Sequence, residues 1–246
     1  MSVGRDSRLD PDDSENRPTY MRCYAIIPSG GLGKRMNNPQ PKQYLPFHGK
    51  ELIAFTLEVF QKSEQTDEII IAAQKEFFPL LNEIKQKYSL TKIKSIIEGG
   101  TERQHSVFNA LKSIQCGEDD IVVVHDAVRP LLSQEILSKS IETAIQFGSA
   151  VVAIKARDTL INGTDSVLSY VDRREIFYAQ TPQVFRYGIL MDAMKKAEKE
   201  NFIGTDESML VHRAGYNVKI VEGSSLNFKI TTEDDINLFN SISKHL

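Results

Sequence analysis

YAIIPSGGLGKRM, residues 24–36, joins an apolar run to a segment with three glycines and two cations. The run YAII predicts a β-strand, so the segment after it would lie at the carboxyl end of that strand. Glycine allows a ligand to approach the main chain closely, and main-chain N–H groups beside cations can line a concavity that binds anions. The stretch therefore predicts a strand followed by a phosphate-binding loop, with a plain glycine-rich turn as the simpler alternative.

Two familiar phosphate-binding motifs do not fit the spacing of this loop. A Walker A loop would need Gly at position 28 and Ser or Thr at position 35, where the chain has Pro28 and Arg35. The dinucleotide motif G-x-G-x-x-G fits Gly31 and Gly33 but needs Gly or Ala at position 36, where the chain has Met36. The sequence thus predicts neither a P-loop nor a standard NAD site.

Downstream of this loop, short apolar runs alternate with helical periodicity. Strands are predicted at residues 69–73, 93–97, 121–124, 150–154, 218–222 and 227–231. Helices are predicted around residues 52–60, 107–114, 137–144, 187–197 and 206–213, and from near Glu233. Runs that are apolar throughout are typical of parallel strands covered on both faces. We therefore predict one α/β domain over residues 21–246, with a Rossmann-like, mostly parallel open sheet flanked by helices.

Residues 157–178 interrupt this pattern with alternating polar and apolar residues. The pair Asn162–Gly163 predicts the turn of a β-hairpin. An isolated two-stranded ribbon is marginally stable in water, so we expect this one to pack on a second subunit. The segment therefore predicts a protruding arm and a homodimer.

The composition limits the partners and the compartment. The 246 residues include 30 basic and 33 acidic side chains, and the net charge of −3 provides no overall attraction for nucleic acid or an anionic membrane. Cys23 and Cys116 have no metal-ligand spacing, and no apolar run approaches the ~18 residues of a membrane span. We expect a cytoplasmic protein without nucleic-acid or membrane partners. Residues 1–20 are polar and should be disordered.

Polar clusters follow several of the predicted strands, where an α/β protein assembles its site. They are EGGTERQHSV at 98–107, HDAVRP at 125–130 and NFKITTEDD at 227–235. Asp126 could be a cap or turn residue, or a carboxylate that holds a ribose hydroxyl or Mg²⁺. Six cations in or near these clusters together suggest an anion site: Arg35, Lys42, Arg103, Arg129, Arg173 and Lys229. Each of them alone could be a solvated surface residue.

No covalent nucleophile or zinc site is predicted. The histidines lack paired ligand spacing, and neither a G-x-S-x-G nor a Cys/His pattern occurs. Thr205, Asp206 and Glu207 are predicted to form a helix cap. Glycine loops and cations without a nucleophile favour phosphoryl or nucleotidyl transfer, in which the protein positions the reactants and stabilises charge.

An ordered set of motifs resembles the 2-C-methyl-D-erythritol 4-phosphate cytidylyltransferase family over residues 22–244. The motifs are PSGGLGKRM, PKQYLP, EGGTERQHSV, HDAVRP, RDT, VDRREI, QTPQVF, TDES, VEGS and NFKIT. The loop opens Pro-Ser-Gly-Gly where the family usually has Pro-Ala-Ala-Gly, and His105 stands where an acidic or small residue is usual. The resemblance implies a nucleotide-diphospho-sugar transferase-like fold, CTP and a small polyol phosphate as substrates, and Mg²⁺ or another divalent cation.

The resemblance also implies roles for the nucleotide-binding residues. The loop of Pro28, Ser29, Gly30, Gly31 and Gly33 would wrap the triphosphate of CTP. Arg35 and Lys42 would stabilise the charge on the α-phosphorus as pyrophosphate leaves. Asp126, followed by Ala127, would lie close to the ribose and the metal. Cytosine would be held by Gly100, Thr101 and Ser106, with Arg103 bracing that loop.

For the second substrate, the resemblance implies a phosphate that is itself the nucleophile. Lys229 and Arg129 would place it. They would be joined by Thr159, Arg173 and Thr181 from the hairpin, which in this family crosses to the partner subunit. The homodimer would thus form by exchange of the arms.

Two alternatives remain at this point. Ribitol-5-phosphate cytidylyltransferases share the glycine loop, PKQ, HD-x-VRP and QTPQ, but tend to reverse the last two residues of the order Val171-Asp172-Arg173. A catalytically silent nucleotide-binding regulator with this fold is the other alternative. It is disfavoured because a silent copy has no chemical need for all four of the intact residues Arg35, Lys42, Asp126 and Lys229.

Overall fold

Seven strands form one central sheet in the computed structural model, which describes residues 21–31 and 41–244. The strands of the described chain are β1 (Cys23–Pro28), β2 (Pro46–Phe47), β3 (Lys50–Glu51), β4 (Glu68–Ala73), β5 (Ile93–Glu98), β6 (Ile121–Val124), β7 (Ser149–Lys155), β8 (Leu160–Gly163), β9 (Val167–Val171), β10 (Phe177–Arg186) and β11 (Lys219–Glu222). The helices are α1 (Leu52–Lys62), α2 (Phe78–Lys87), α3 (Arg103–Ser113), α4 (Gln134–Phe147), α5 (Tyr187–Lys199), α6 (Glu207–Arg213) and α7 (Glu233–Ser243). The predictions for residues 1–20, Gly33 and Arg35 lie outside the described residues.

The sheet has the order β11-β7-β10-β6-β1-β4-β5 and is mostly parallel. β1 pairs in parallel with both β4 and β6, and β10 alone among the seven described strands of the sheet runs antiparallel to its neighbours. The chain moves from β1 outward to β5 and then returns across the sheet to β6. The point where the strand order reverses, between β1 and β6, is where open α/β sheets bind ligands.

Helices cover both faces because the strands are apolar on both sides. In β1, Ala25 and Ile27 pack with α1, α2 and α4, whereas Tyr24 and Ile26 pack with α3, α5 and α6. A smaller apolar cluster beneath α7 includes Phe47, Leu52 and Phe239. The predicted α/β class with a mostly parallel sheet is therefore confirmed. No helix within residues 21–31 and 41–244 combines the length and apolar character needed to cross a bilayer.

Two segments differ from what the sequence predicted for the strands. β10 was not predicted, because Gln180, Thr181, Pro182 and Gln183 interrupt its apolar pattern, and the register indeed shifts between Ala179 and Gln183. Residues 227–231 were predicted as a strand but have no regular secondary structure. The main-chain nitrogen of Ile230 makes a single loop hydrogen bond to Val128, so no sheet ladder forms there.

The hairpin exists, but its turn lies farther along the chain than predicted. β8 and β9 pair antiparallel, and Asn162 and Gly163 belong to β8, so the turn spans residues 164–166. A Cβ atom on Gly163 would lie 2.1 Å from the Ser166 carbonyl oxygen, so the glycine serves this close approach rather than the turn itself. Every residue of β9 is exposed.

Candidate active site

A cavity of about 680 Å³ opens at the carboxyl ends of β1, β4, β5 and β6. This size suits a nucleotide-sized ligand. Of the predicted site residues, those that line it are Pro28, Ser29, Gly30, Gly31, Lys42, Gly100, Thr101, Arg103, Ser106, Asp126, Ala127 and Lys229. Lining residues that sequence reasoning missed are Gln43, Gln74, Glu102, Val128 and Thr231. Because parallel strands end at the same edge, motifs far apart in sequence meet here.

The first glycine loop is held from below by the PKQY segment. The side-chain amide of Gln43 donates to the carbonyl oxygens of Ser29 at 2.9 Å and Gly31 at 3.0 Å. The hydroxyls of Ser29 and Tyr44 lie 3.0 Å apart in a buried contact. The segment Lys42–Tyr44 forms one 3-10 turn, which places Lys42 on the cavity wall and Gln43 beneath the loop. These contacts determine the position of the described start of the loop, Ser29–Gly31.

The second glycine loop folds back onto the first turns of α3. The main-chain nitrogen of Gly100 donates to the Ser106 hydroxyl at 3.0 Å, and the Thr101 hydroxyl lies 2.9 Å from Nδ1 of His105. A Cβ on Gly100 would lie 2.2 Å from the Cβ of His105, so only glycine fits. The unusual His105 thus takes part in shaping this loop.

Asp126 is the buried anion at the base of the cavity. Its Oδ1 accepts from Nε of Arg103 at 3.1 Å, while its Oδ2 lies 3.1 Å from Nζ of Lys229 and 3.4 Å from Nε of Arg129. Burial acts to raise the pKa of Asp126, but the charges of Arg103, Lys229 and Arg129 together hold it well below its usual range. The carboxylate therefore stays ionised at neutral pH and gathers the three cations.

Arg103 also binds Glu207, a residue whose role sequence reasoning missed. Nη1 of Arg103 donates to both carboxylate oxygens of Glu207 at 2.7 Å, across 104 positions of sequence. Burial opposes the charge on Arg103, but Glu207 and Asp126 raise the pKa of Arg103 above its ordinary value. The Arg103 side chain thus joins two acids, whereas Ser106 and His105 hold the glycine loop.

The predicted cap at 205–207 is correct only for Asp206. Its carboxylate accepts from the Met209 main chain at 2.8 Å and from the Ser208 hydroxyl at 2.9 Å. Glu207 begins α6 with its side chain turned inward and only 1% of its surface exposed. A pair of acids before an apolar run is the usual sign of a cap, so the sequence carried no signal that separated the two roles.

A buried layer supports Asp126 from beneath. The Asp126 main-chain nitrogen donates to the Thr181 hydroxyl at 3.1 Å, and Nη1 of Arg129 donates to the Asn227 carbonyl oxygen at 2.7 Å. The Asn227 amide donates to the Thr181 carbonyl oxygen at 2.8 Å, which ties the 227–231 segment to β10. Arg129 and Thr181 are thus beside the cavity, but neither is among the described residues that line it.

The remaining predicted residues lie elsewhere in the described chain or outside it. Thr159 and Arg173 are exposed at the base of the arm, and neither is among the described residues that line the cavity. Arg173 donates to the carbonyl oxygen of Arg157. Gly33 and Arg35 lie outside the described residues. One chain therefore brings together most, but not all, of the predicted site.

The fit of a divalent cation at Asp126 is poor in this arrangement. Within residues 21–31 and 41–244, no group of three or more His, Cys, Asp or Glu could hold a metal ion. Both oxygens of Asp126 face cations, and three positive side chains around the carboxylate would repel a divalent cation there. The protein residues described here therefore do not provide a metal site of their own.

A cation-lined cavity at the switch point of a mostly parallel sheet defines an α/β protein of the nucleotidyltransferase type. Residues 23–244 match the family described as 2-C-methyl-D-erythritol 4-phosphate cytidylyltransferase, and the chain belongs to that family. The family resemblance drawn from the motifs is thereby confirmed.

Individual relatives support this membership along nearly the whole chain. The protein of that name from Geobacter metallireducens is 40% identical over 228 residues, which cover 91% of this chain and 98% of the relative. The one from Syntrophus aciditrophicus is 40% identical over 226 residues, covering 91% and 96%. The crystal structure of the Francisella tularensis protein is 33% identical with a TM-score of 0.77, covering 89% of this chain and 99% of that chain.

Proposed function

We propose that this protein transfers CMP from CTP to 2-C-methyl-D-erythritol 4-phosphate, releasing pyrophosphate, in the synthesis of isoprenoid precursors. One observation carries the proposal: five of the ten family motifs contribute residues to one cavity, with Lys42, Arg103 and Lys229 on its walls. The family membership of residues 23–244 supports the same conclusion. The reaction forms one bond between a phosphate oxygen and the α-phosphorus and breaks the bond from that phosphorus to pyrophosphate.

The nucleotide end of the reaction falls to the two glycine loops. The loop at Ser29–Gly31, braced by Gln43, would hold the triphosphate, and Lys42 with Arg35 would stabilise the charge that develops on the α-phosphorus. Gly100, Thr101 and Ser106 would hold cytosine. The short main-chain approach enforced at Gly100 supports this, since main-chain groups there can complement the N4 amine and O2 of the base.

The second substrate needs placement rather than activation, because its phosphate is already an anionic nucleophile. Lys229 and Arg129, both in contact with Asp126, would bind this phosphate and align it with the α-phosphorus. Thr181 supports Asp126 from β10. Thr159 and Arg173 would come from the arm of a partner subunit in a homodimer, which agrees with their exposed positions in the single chain.

A divalent cation belongs to the proposal as part of the bound nucleotide. Mg²⁺ would neutralise charge on the phosphates when bound, while the protein residues would position the two substrates. We also propose that the protein is cytoplasmic.

The test is pyrophosphate release from CTP and Mg²⁺ with methylerythritol phosphate or ribitol 5-phosphate, assayed separately. We expect fast release with the first substrate and little with the second, because of the Val171-Asp172-Arg173 order. Comparable specificity constants would favour the ribitol alternative. CTP binding without release from either substrate would favour a silent regulator. Omitting Mg²⁺ measures the metal dependence in the same assay.

A further inference from the structure

The Glu207 carboxylate is buried beside the site without facing the cavity. Its residue exposes 1% of its surface, and both of its oxygens lie 2.7 Å from the same nitrogen, Nη1 of Arg103. Burial raises the pKa of Glu207, while the charge of Arg103 acts in the opposite direction. Two equal short distances to a guanidinium nitrogen are the geometry of an ion pair. Such a pair is costly to bury, which calls for an account of what it does.

The contacts of Arg103 show that its guanidinium is shared between two acids. Nε donates to Oδ1 of Asp126 at 3.1 Å, and Nη1 donates to Glu207. Nη2 is buried and has no hydrogen-bond partner among the described residues. The fork that arginine usually offers to a carboxylate consists of two parallel N–H groups, and Nε with Nη2 is such a pair. Arg103 therefore uses only one half of this fork on Asp126.

A full fork on Asp126 would require its second oxygen. That oxygen, Oδ2, is the one that Lys229 approaches at 3.1 Å and Arg129 at 3.4 Å. A rotation of the guanidinium that brought Nη2 to Oδ2 would place it in competition with both of these cations. Glu207 holds Nη1 and so opposes this rotation.

We propose that Glu207 is a positioning residue that restrains Arg103 and thereby keeps Oδ2 of Asp126 for Lys229 and Arg129. This inference rests on the proposed function, in which these two cations place the polyol phosphate. The glycine loop that would bind cytosine is held by contacts with Ser106 and His105, so we expect a change at the Arg103 guanidinium to have a smaller effect on this loop than on Asp126. Glu207 should therefore affect the binding of the polyol phosphate more than the binding of CTP.

The charge of Glu207 and its positioning role predict opposite effects on substrate binding. Removing a negative charge near a site for anions should, by simple electrostatics, tighten the binding of both substrates. If Glu207 no longer restrains Arg103, the guanidinium should instead bind both oxygens of Asp126. That contact should displace Lys229 and weaken the binding of the polyol phosphate. The sign of the change in KM therefore separates the two accounts.

The experiment compares Glu207→Gln and Glu207→Asp with wild type and with the matched control Glu200→Gln. Glu200 pairs with Arg213 at 2.9 Å on the surface, so its variant makes the same charge change to a Glu–Arg pair outside the site. For Glu207→Gln we expect KM for methylerythritol phosphate to rise roughly tenfold while KM for CTP changes less than about twofold. Glu207→Asp keeps the charge but is one methylene shorter, so we expect a rise of about threefold. Glu200→Gln should match wild type.

An unchanged or lower KM for methylerythritol phosphate in a folded Glu207→Gln variant would overturn the inference. So would an equal rise in both KM values, which indicates a general structural role. If Glu207→Gln does not fold, Glu207→Asp decides: a selective rise supports the inference, and wild-type constants overturn it. A wild-type protein that does not turn over methylerythritol phosphate would instead contradict the proposed function, so the two failures are distinguishable.

Discussion

Asp126 shows how a buried charge can be retained by its partners. A lone carboxylate in the interior would be protonated or strongly destabilising, but three cations offset the loss of water around this one. The same contacts hold Arg103 and Lys229 at the cavity, and Arg129 beside it, before any substrate binds. Preorganised cations need little rearrangement when phosphate charge arrives, which is the main advantage of such a site in phosphate chemistry.

At the scale of single residues, Lys42 should act mainly on the transition state. We expect Lys42→Ala to lower kcat on the order of 10²- to 10³-fold, with a smaller effect on CTP affinity, because its contact strengthens as charge develops on the α-phosphorus. Steady-state kinetics and direct CTP titration measure the two effects separately. Lys62→Ala removes an exposed cation that makes a surface pair with Glu58 and serves as the control. A near-normal kcat in Lys42→Ala would contradict the proposal that Lys42 stabilises the transition state.

Among the elements, the arm formed by β8 and β9 is mostly exposed in the described chain. β8 and β9 form a separate two-stranded sheet, and Leu168 and Tyr170 are each 72% exposed. Exposed apolar residues on a thin ribbon are what the proposed contact with a partner subunit would cover. The arm joins β10, in which the Thr181 hydroxyl accepts from the main chain of Asp126, so the element that would contact a partner is continuous with a strand that supports the site.

The proposed exchange of arms predicts complementation between two inactive variants. In a mixed dimer of Lys42→Ala and Arg173→Ala, an Arg173 that acts in the partner's site leaves one site with both defects and the other intact. Random assortment makes half of the dimers mixed, so about a quarter of wild-type activity should return. The measurement is the activity of equal amounts of the variants after co-refolding, with mixed dimers verified by mass spectrometry. Mixed dimers without activity would place Arg173 in the site of its own subunit.

At the scale of the whole molecule, the buried residues after β6 connect the stability of the fold to pH. His125 is fully buried, packs against Phe60 and donates from Nε2 to the Arg129 carbonyl oxygen at 3.1 Å. Nδ1 has no hydrogen-bond partner within the described residues, so a second proton would be buried without an acceptor. Burial lowers the pKa of His125 to about 4.

A lowered histidine pKa makes the folded state less stable in mild acid. The unfolded chain takes up a proton near its ordinary pKa of about 6.5, whereas the folded chain does so only near 4, so stability is complete above 6.5 and falls as the pH drops toward 4. At about 1.4 kcal/mol per pKa unit, we expect roughly 2 kcal/mol of unfolding free energy to be lost between pH 7 and pH 5 through this residue.

Urea unfolding at pH 7 and pH 5 measures this loss. His125→Gln should show a pH dependence smaller by that amount, whereas His212→Gln, which changes an exposed histidine, should behave as wild type. The same pH dependence in all three proteins would contradict the assignment to His125.

The sequence by itself determined the class of the fold and the location of the site. β6, and β4 after Glu68, are apolar throughout because helices cover both faces, and that burial produces a recognisable sequence pattern. The glycine loops were readable because close main-chain approach, as at Gly100, excludes other residues. These features depend on local burial and local sterics, so the residue types of adjacent positions in the sequence are enough to predict them.

The tertiary structure alone decided the features that depend on distant partners. β10 is a central strand despite Gln180 and Pro182, because the interruption is local and the Gln180 side chain finds its partner in a neighbouring loop, the Ser224 carbonyl oxygen. Glu207 looked like a capping residue until folding brought it to Arg103, 104 positions away. An ion pair between such distant residues leaves no periodicity in the sequence, since its energy depends on a geometry that exists only once both helices pack on the sheet.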